Sequence, residues 1–300
     1  MSIRALTFVS FSALLLLLLM IALVSSCGGG SSSGISAPPP VPQFQHVILV
    51  VEENHSYSSV IGNTAMPYLN GLASQYGLAT QYYADTHPSI GNYFMLTTGQ
   101  VVTNDDNFGA TVDADNIVRR LVSAGKTWKS YAEGLPSVGY MADGPSPYAK
   151  NHDPLSYFSD VVASSAEAAN LVPFSQFSTD LASGQLPNFS FVVPNSMDDA
   201  HDGTLSQADT WLQQNIGPLV SSSTFQSSLL IIVFDESDSA DTAGGGGHVP
   251  AIVVTPKAKP GYKSTTTYQH QSTLRLILRG LGVTGFPGAA ASAPDMGEFF

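Results

Sequence analysis

The chain has 300 residues, of which 43% are hydrophobic, and it carries a formal net charge of −12. This length is enough to bury a large core in one α/β domain. The acidic balance does not support nucleic-acid binding, because the average field of the protein repels a polyphosphate backbone. The only cysteine, Cys27, excludes an intramolecular disulfide and a cysteine-rich zinc site.

Residues 1–27 have the layout of an export signal peptide. Arg4 supplies a positive charge, and a long apolar run follows at residues 5–24. The run ends in Val-Ser-Ser-Cys at residues 24–27, which resembles a bacterial lipobox, where the cysteine becomes the lipidated N-terminus. An uncleaved transmembrane anchor is the alternative, since the run approaches the length of a membrane span. We therefore expect lipidation at Cys27 and a domain anchored to the membrane of the bacterial cell envelope, outside the cytoplasm.

Residues 28–44 are rich in Gly, Ser and Pro. Such a composition cannot supply a packed core and is typical of a flexible or extended tether. The folded domain is therefore predicted to span residues 45–300, and we expect it to be catalytic for the reasons given below.

The first predicted strand of this domain ends in a group of polar side chains. Residues 47–51 are five consecutive aliphatic residues, a pattern typical of a strand buried on both faces of a parallel sheet. Glu52, Glu53, Asn54 and His55 follow directly. Open α/β sheets bind their ligands at the carboxyl ends of strands, so these side chains are expected in a crevice. A solvated acidic turn is the alternative interpretation.

Ser89 lies in the segment THPSIGNYFML, ahead of an apolar run that suits a buried helix. Pro88 disfavours the helical conformation for His87, so Ser89 is expected near a helix N-terminus. A serine there is either an N-cap or a nucleophile, because free backbone N–H groups and the helix dipole favour an anionic partner. Position alone favours the N-cap.

The remaining pattern alternates helices with strands. Helices are predicted at residues 67–77, 116–125, 204–216 and from His270 onward, and strands at residues 126–131, 188–193, 228–234 and 249–255. Residues 132–176 are expected to be an irregular loop that serves or covers a site. The glycines at residues 244–247 lack the Lys-Ser/Thr of a P-loop and are expected to be a mobile loop. The alternation predicts an α/β three-layer sandwich with a mostly parallel central sheet.

Two more predicted strands lead into acidic clusters, at residues 198–202, which include His201, and at residues 235–238. In a chain with only 11% charged residues, this repetition indicates one convergent site. Carboxylate and amide oxygens are ligands that Mg²⁺, Ca²⁺ or Mn²⁺ prefer, so we expect a divalent metal ion as cofactor. The metal would favour a serine alkoxide and polarise a phosphoryl oxygen, and histidines would protonate a leaving group.

In these motifs the chain resembles the bacterial phosphoesterases that include metal-dependent acid phosphatases and phospholipases C, within the alkaline-phosphatase-like superfamily. The matching segments occur in order and include HVILVVEENHSYSSVIGN, THPSIGNYFMLTTG, YAKNHDP, PNFSFVVPNSMDDAHD, IIVFDESD and GHVPAIVVTP. The resemblance implies a metal site with Ser89 as both nucleophile and ligand. The other ligands that it implies are Glu53, Asn54, Asp235 and Glu236.

The same resemblance implies roles for three histidines. His152 and His201 would contact the transferred phosphoryl group, and His248 would be catalytic or would support the site. His87 is expected to order the serine loop, and His270 to be structural at a helix start. Relatives have a second aspartate at the position of Glu236, whose longer side chain would change the coordination or support the ligands from outside.

The expected function is that of an acid-phosphatase-like phosphomonoesterase that acts on phosphate esters through a metal-activated serine and a phosphoseryl intermediate. The chain ends without the long C-terminal extension of many phospholipases C in the family, which favours soluble monoesters. The alternatives are a phospholipase C or other phosphodiesterase, a sulfatase of the same superfamily, and a surface binding lipoprotein without catalysis.

The lipobox generates a prediction about location. We expect Cys27→Ala to release the domain from the membrane or to leave an unprocessed precursor, because the variant lacks the thiol that would be acylated. Cell fractionation and the mass of the mature chain measure both results. Normal processing and membrane retention of Cys27→Ala would contradict the lipoprotein hypothesis.

Overall fold

A mostly parallel sheet of eight strands lies at the centre of the structure, a computed structural model that describes residues 40–300. In chain order the strands of the structure are β1 (His46–Glu52), β2 (Gly77–Ala79), β3 (Tyr82–Tyr83), β4 (Trp128–Ala132), β5 (Leu171–Pro173), β6 (Phe189–Val193), β7 (Ser228–Phe234), β8 (Ala251–Val254), β9 (Lys263–Ser264) and β10 (Tyr268–Gln269). The order in the sheet is β5-β4-β6-β1-β7-β8-β2-β9, and β3 pairs with β10 separately.

The centre of the sheet is the parallel triplet β6-β1-β7. Val50 of β1 lies opposite Val192 on one side and Ile232 on the other. Residues 47–52 and all of β7 are buried, so both faces of the central strands are covered. β8 runs antiparallel to both of its neighbours, β7 and β2.

Helices pack against the sheet and against one another. They are α1 (Tyr57–Val60), α2 (Pro67–Gln75), α3 (Ser89–Thr98), α4 (Ile117–Ser123), α5 (Ser159–Val162), α6 (Ser165–Ala168), α7 (Ser175–Ser183), α8 (Leu205–Asn215), α9 (Gly217–Val220) and α10 (His270–Gly280). α8 packs with α2 and α9, whereas α10 packs with α3 and α4. The predicted α/β sandwich with a mostly parallel central sheet is confirmed.

Some predicted segments differ from the structure. Residues 132–176 are not one irregular loop, because they contain β5, α5, α6 and two short 3₁₀ turns, Lys150–His152 and Pro154–Tyr157. β5 pairs in parallel with β4 and extends the sheet at that edge. Three residues are too few to show a strand period in the sequence, which explains the omission.

The described residues begin within the predicted tether. The predicted signal peptide with Cys27, and residues 28–39 of the predicted tether, lie outside the described residues. The end of the predicted tether belongs to the core, because Val41 and Phe44 are buried and the Phe44 N–H donates to the Gly280 carbonyl at 2.8 Å. Within residues 40–300, none of the helices has the length and apolarity needed to span a bilayer.

Asp85 lies at the N-terminus of α10, where its Oδ2 accepts a hydrogen bond from the His270 N–H at 3.3 Å. Burial raises the pKa of Asp85 from 3.8 to about 7, because removal from water favours the neutral acid. The neutral acid is therefore preferred in the folded state. The stability that it contributes is complete below pH 3.8 and is lost as the pH rises through about 7.

We predict that Asp85→Asn, which cannot ionise, avoids this loss. Relative to the wild type, its free energy of unfolding should increase by about 3 kcal/mol between pH 5 and pH 8, because the loss amounts to about 1.36 kcal/mol per pH unit from pH 5 to the folded-state pKa of about 7. Urea denaturation of both proteins at the two pH values measures the difference. If the difference in free energy of unfolding between the two proteins does not change with pH, the folded state does not favour neutral Asp85.

Candidate active site

Three neighbouring parallel strands deliver acidic side chains to one edge of the sheet. β1 leads into Glu53 and Asn54, β7 leads into Asp235 and Glu236, and the loop after β6 carries Asp199. The Glu53 N–H donates to the Asp199 carbonyl at 2.8 Å, which ties two of these segments together. All four acids are buried. The predicted convergence of the strand ends is therefore present in the structure.

Ser89 is the first residue of α3 and is only 5% exposed. Its Oγ lies 3.1 Å from Glu53 Oε2 and 3.4 Å from Glu236 Oε1, within hydrogen-bond distance of both. The position before it, Pro88, is the cap of the helix, and the side chain of Ser89 makes no capping bond. The N-cap interpretation is therefore wrong, and the hydroxyl is directed at carboxylates.

Two oxygens of the segments that follow β1 and β7 are buried without a hydrogen-bond partner among residues 40–300. They are Asn54 Oδ1 and Asp235 Oδ2. Asn54 has a left-handed backbone, with φ of 56°, and its N–H donates to Asp235 Oδ1 at 3.1 Å. This conformation is one that Asn adopts more readily than most residues. Buried, unsatisfied oxygens of this kind fit a bound cation.

The electrostatics of the acids point to the same conclusion. Burial raises the pKa of Glu53 well above its ordinary value, and the charges of Asp235 and Asp199 raise it further. Burial and the charge of Asp235 raise the pKa of Glu236 to about 9. Within residues 40–300 the ion pairs of these acids involve only histidines. Ionised carboxylates in this site therefore need another positive charge, and their oxygens suit Mg²⁺, Ca²⁺ or Mn²⁺.

His152 connects Glu53 with Asp199. Its Nε2 lies 3.5 Å from Glu53 Oε1, and its Nδ1 lies 3.4 Å from Asp199 Oδ2. The three side chains are buried, and each offers one donor atom within 4.8 Å of the others, so this group also has the geometry of a metal site. Sequence reasoning marked residues 198–202 as a cluster, but it did not select Asp199 as the acid that turns inward.

Tyr93 is a second site residue that sequence reasoning missed. It is buried on α3, its hydroxyl donates to Glu53 Oε1, and its ring stacks on His152 with centroids 5.0 Å apart and planes 4° apart. An aromatic residue in an apolar helix usually belongs to the hydrophobic core, so a role in the site was not predicted for Tyr93. The available signal was its spacing of four residues from Ser89, which puts both side chains on one helix face.

Two more histidines hold the acidic segments from outside. His87 Nδ1 lies 2.9 Å from Glu236 Oε2, and its Nε2 donates to the Asp241 carbonyl at 2.9 Å. His270 Nε2 donates to the Asp235 carbonyl at 2.6 Å from the first turn of α10. The structural role expected for His270 agrees with this contact, whereas His87 contacts an acid as well as preceding the serine.

The glycines predicted to be a mobile loop pack against the segment before Ser89. The Gly246 N–H donates to the Ala84 carbonyl at 3.1 Å, and the Ala84 N–H donates to the Gly247 carbonyl at 2.9 Å. A Cβ on Gly245, whose φ is 117°, would lie 2.1 Å from the Asp85 carbonyl oxygen. These positions need glycine for a close backbone approach, and the expectation of a mobile loop was wrong.

The remaining predicted histidines are His201 and His248. The His201 ring is 6.0 Å from the His152 ring, and its side chain is 42% exposed, so it lies at the mouth of the site. His248 is stacked between Tyr57 at 4.4 Å and Tyr83 at 4.9 Å, and its Nε2 donates to the Thr80 carbonyl. Its contacts are with this aromatic stack rather than with the serine.

Comparison with known protein families identifies the family of the chain. A model described as the phosphoesterase family matches residues 63–284, which include Ser89, His152 and Asp235. The chain belongs to the phosphoesterase family. This finding confirms the resemblance drawn from the motifs.

Named relatives support the same chemistry for this phosphoesterase. It is 34% identical over 270 residues to a phosphatidylinositol-3-phosphatase from Mycobacterium tuberculosis, covering 87% of this chain and 84% of the relative. It is 30% identical over 247 residues to a probable acid phosphatase from Kluyveromyces lactis, covering 78% of this chain and 57% of that protein. This chain therefore spans little more than half the length of the second relative. The family and these relatives identify the phosphoesterase as a hydrolase of phosphoric esters.

Solved structures share the fold of this chain. A Vibrio parahaemolyticus protein in the alkaline phosphatase superfamily matches with a TM-score of 0.60 and 13% identity, over 83% of this chain and 69% of that chain. A phosphonate monoester hydrolase from Silicibacter pomeroyi matches with a TM-score of 0.54 and 12% identity, over 84% and 76% of the two chains. At these identities the likeness establishes the fold of the phosphoesterase.

Proposed function

We propose that this phosphoesterase is a metal-dependent phosphomonoesterase in which Ser89 is the nucleophile. The observation that carries the proposal is the position of Ser89 Oγ, 3.1 Å from Glu53 Oε2 and 3.4 Å from Glu236 Oε1. The unpartnered oxygens of Asn54 and Asp235 lie in the same group of residues. A buried hydroxyl among acids is a poor nucleophile unless its surroundings activate it.

The residues that would hold a divalent cation are Glu53, Asn54, Asp235 and Glu236, together with Ser89. When bound there, the cation supplies positive charge that lowers the pKa of the serine hydroxyl and offsets the charge of the phosphoryl oxygens. The group of Glu53, His152 and Asp199 is the competing location. Each set contains two buried atoms without a hydrogen-bond partner among residues 40–300, Asn54 Oδ1 and Asp235 Oδ2 in the first and His152 Nδ1 and Asp199 Oδ2 in the second. We favour the first set because it contains Ser89, the proposed nucleophile.

The chain's own groups account for the first chemical step. Ser89 Oγ attacks phosphorus, so that the Oγ–P bond forms while the bond from phosphorus to the ester oxygen breaks. The serine proton has two carboxylate acceptors within 3.4 Å, Glu53 and Glu236. The leaving oxygen takes a proton from His152 or His201. Water then attacks the phosphoseryl group, which releases phosphate and restores Ser89.

The N-terminus of α3 supports binding of the phosphoryl oxygens. The Ile90 N–H donates to Asp106 Oδ1 at 3.2 Å, so an anionic oxygen already occupies this position in the structure. A phosphoryl oxygen that replaced the exposed Asp106 carboxylate would meet the same N–H and the helix dipole.

The substrate class and the location are also part of the proposal. The relatives, an acid phosphatase and a phosphatidylinositol-3-phosphatase, support phosphate esters rather than sulfate esters as substrates. The motif at Cys27 supports a lipid-anchored enzyme in the bacterial cell envelope. Phosphodiesters remain the second candidate, since the same serine attack on a diester would also release an alcohol.

A substrate panel with a serine variant tests the proposal. We expect the wild type to hydrolyse p-nitrophenyl phosphate faster than bis-p-nitrophenyl phosphate, p-nitrophenyl phosphorylcholine and p-nitrophenyl sulfate. EDTA should abolish this hydrolysis. Ser89→Ala should lower kcat by at least about 1,000-fold, because it removes the nucleophile. Acid quench and peptide mass spectrometry of the wild type should find phosphate on Ser89.

Ser190→Ala is the matched control, because Ser190 is a fully buried serine within β6. It should retain activity. A Ser89→Ala variant that kept substantial turnover would show that the serine is not the nucleophile. If the wild type prefers the diester or the sulfate ester, the enzyme is a phosphodiesterase or a sulfatase rather than a phosphomonoesterase.

Metal binding distinguishes the two possible ligand sets. We expect the wild type to bind one Mn²⁺ per chain and Asp235→Asn to weaken Mn²⁺ binding by more than about 100-fold, since even the loss of partners outside the ligands costs 10- to 100-fold. Asp199→Asn should retain the metal. Equilibrium dialysis with elemental analysis measures both.

Asp238→Asn is the control for this experiment, because Asp238 is an exposed acid of the same segment that accepts from Ser56. It should bind Mn²⁺ as the wild type does. The opposite pattern, with metal lost in Asp199→Asn and retained in Asp235→Asn, would place the ion at Glu53, His152 and Asp199.

A further inference from the structure

We propose that Tyr93 is a positioning residue that fixes both Glu53 and His152 for catalysis. The inference rests on the proposed function, because it takes Glu53 as a cation ligand and His152 as a group that contacts the phosphoryl oxygens. Tyr93 and Ser89 lie one helical turn apart on α3, so one rigid element carries the nucleophile and this tyrosine. Both side chains therefore approach Glu53 from the same helix face.

The tyrosine and the serine divide the carboxylate of Glu53 between them. The Tyr93 hydroxyl donates to Oε1, and Ser89 Oγ lies 3.1 Å from Oε2. Tyr93 and Glu53 have no solvent exposure, so water does not compete for Oε1. Fixing Oε1 also fixes the direction of Oε2, which is the oxygen that faces Ser89 Oγ. Partners of this kind orient metal-binding carboxylates and increase the affinity for the ion.

The ring of Tyr93 has a second function. It stacks on the His152 imidazole, with centroids 5.0 Å apart and planes 4° apart, and Phe191 supports it edge-on at 6.3 Å. Rotation of the imidazole would break this stack and would move its nitrogens away from Glu53 and Asp199. The ring therefore fixes the plane of His152, whereas the hydroxyl fixes the oxygens of Glu53.

Two substitutions separate these functions. Tyr93→Phe keeps the ring on His152 but removes the bond to Glu53, whereas Tyr93→Leu removes both. We expect Tyr93→Phe to increase the Kd for Mn²⁺ by about 10- to 100-fold. Its inhibition constant for inorganic phosphate, measured at saturating Mn²⁺, should stay within about twofold of the wild type. Tyr93→Leu should weaken the binding of both Mn²⁺ and phosphate.

Tyr131→Phe is the matched control. Tyr131 is also fully buried and also donates to a carboxylate, Asp180 Oδ2 at 2.7 Å, but it lies on β4 away from Ser89. Loss of its bond should lower the free energy of unfolding without changing the Kd for Mn²⁺. Titration of the electron paramagnetic resonance signal of free Mn²⁺ measures Kd, and urea denaturation measures stability.

Each outcome decides the inference. A 10-fold or larger increase of the Mn²⁺ Kd in Tyr93→Phe, with no change in Tyr131→Phe, supports it. Unchanged Mn²⁺ binding in Tyr93→Phe, or equal weakening in both variants, overturns it while the proposed metal site stands. If phosphate inhibition weakens equally in Tyr93→Phe and Tyr93→Leu, the stacking function is wrong. A wild type that binds no Mn²⁺ would overturn the proposed function itself.

Discussion

The parallel pairing of β1 with β7 fixes the acids of the site beside one another. Glu52 lies opposite Phe234, and the Asp235 N–H donates to the Glu52 carbonyl at 2.9 Å. Both strands are buried on both faces, so the next residues, Glu53 and Asp235, leave the sheet without reaching water. The hydrophobic effect that aligns the strands therefore also buries like charges at short range. The histidines that contact these acids, and the proposed cation, offset the repulsion between them.

Two helices make the site rigid by connecting its parts. All ten residues of α3 are buried, and α3 packs against α10. His270, at the start of α10, donates to the Asp235 carbonyl, while Ser89 and Tyr93 of α3 contact Glu53. The nucleophile and the acids after both central strands are thus held by one packed unit. Catalysis through pre-arranged charge requires this kind of support, since small displacements weaken short electrostatic contacts.

The sequence was informative where a single pattern decides the structure. The aliphatic runs of β1 and β7 predict buried parallel strands, and the polar residues after them predict the crevice where Glu53 and Asp235 lie. Very short elements such as β5 leave no periodic signal, and the antiparallel direction of β8 depends on its neighbours. Asp199 and Tyr93 were missed for a related reason. Their roles depend on which way one side chain turns, and several acids or an apolar helix look alike before folding.

The second acid after β7, Glu236, shows how the longer glutamate fits this arrangement. Glu236 divides its oxygens, with Oε1 at 3.4 Å from Ser89 Oγ and Oε2 at 2.9 Å from His87 Nδ1. His87 in turn donates to the Asp241 carbonyl, and Asp241 Oδ2 accepts from the N–H of His248. The segment between Glu236 and His248 can close on His87 only because its glycines allow the backbone to approach Asp85 closely. A glutamate at position 236 therefore has a partner for each oxygen, which links the packing of the glycine segment to the environment of the serine.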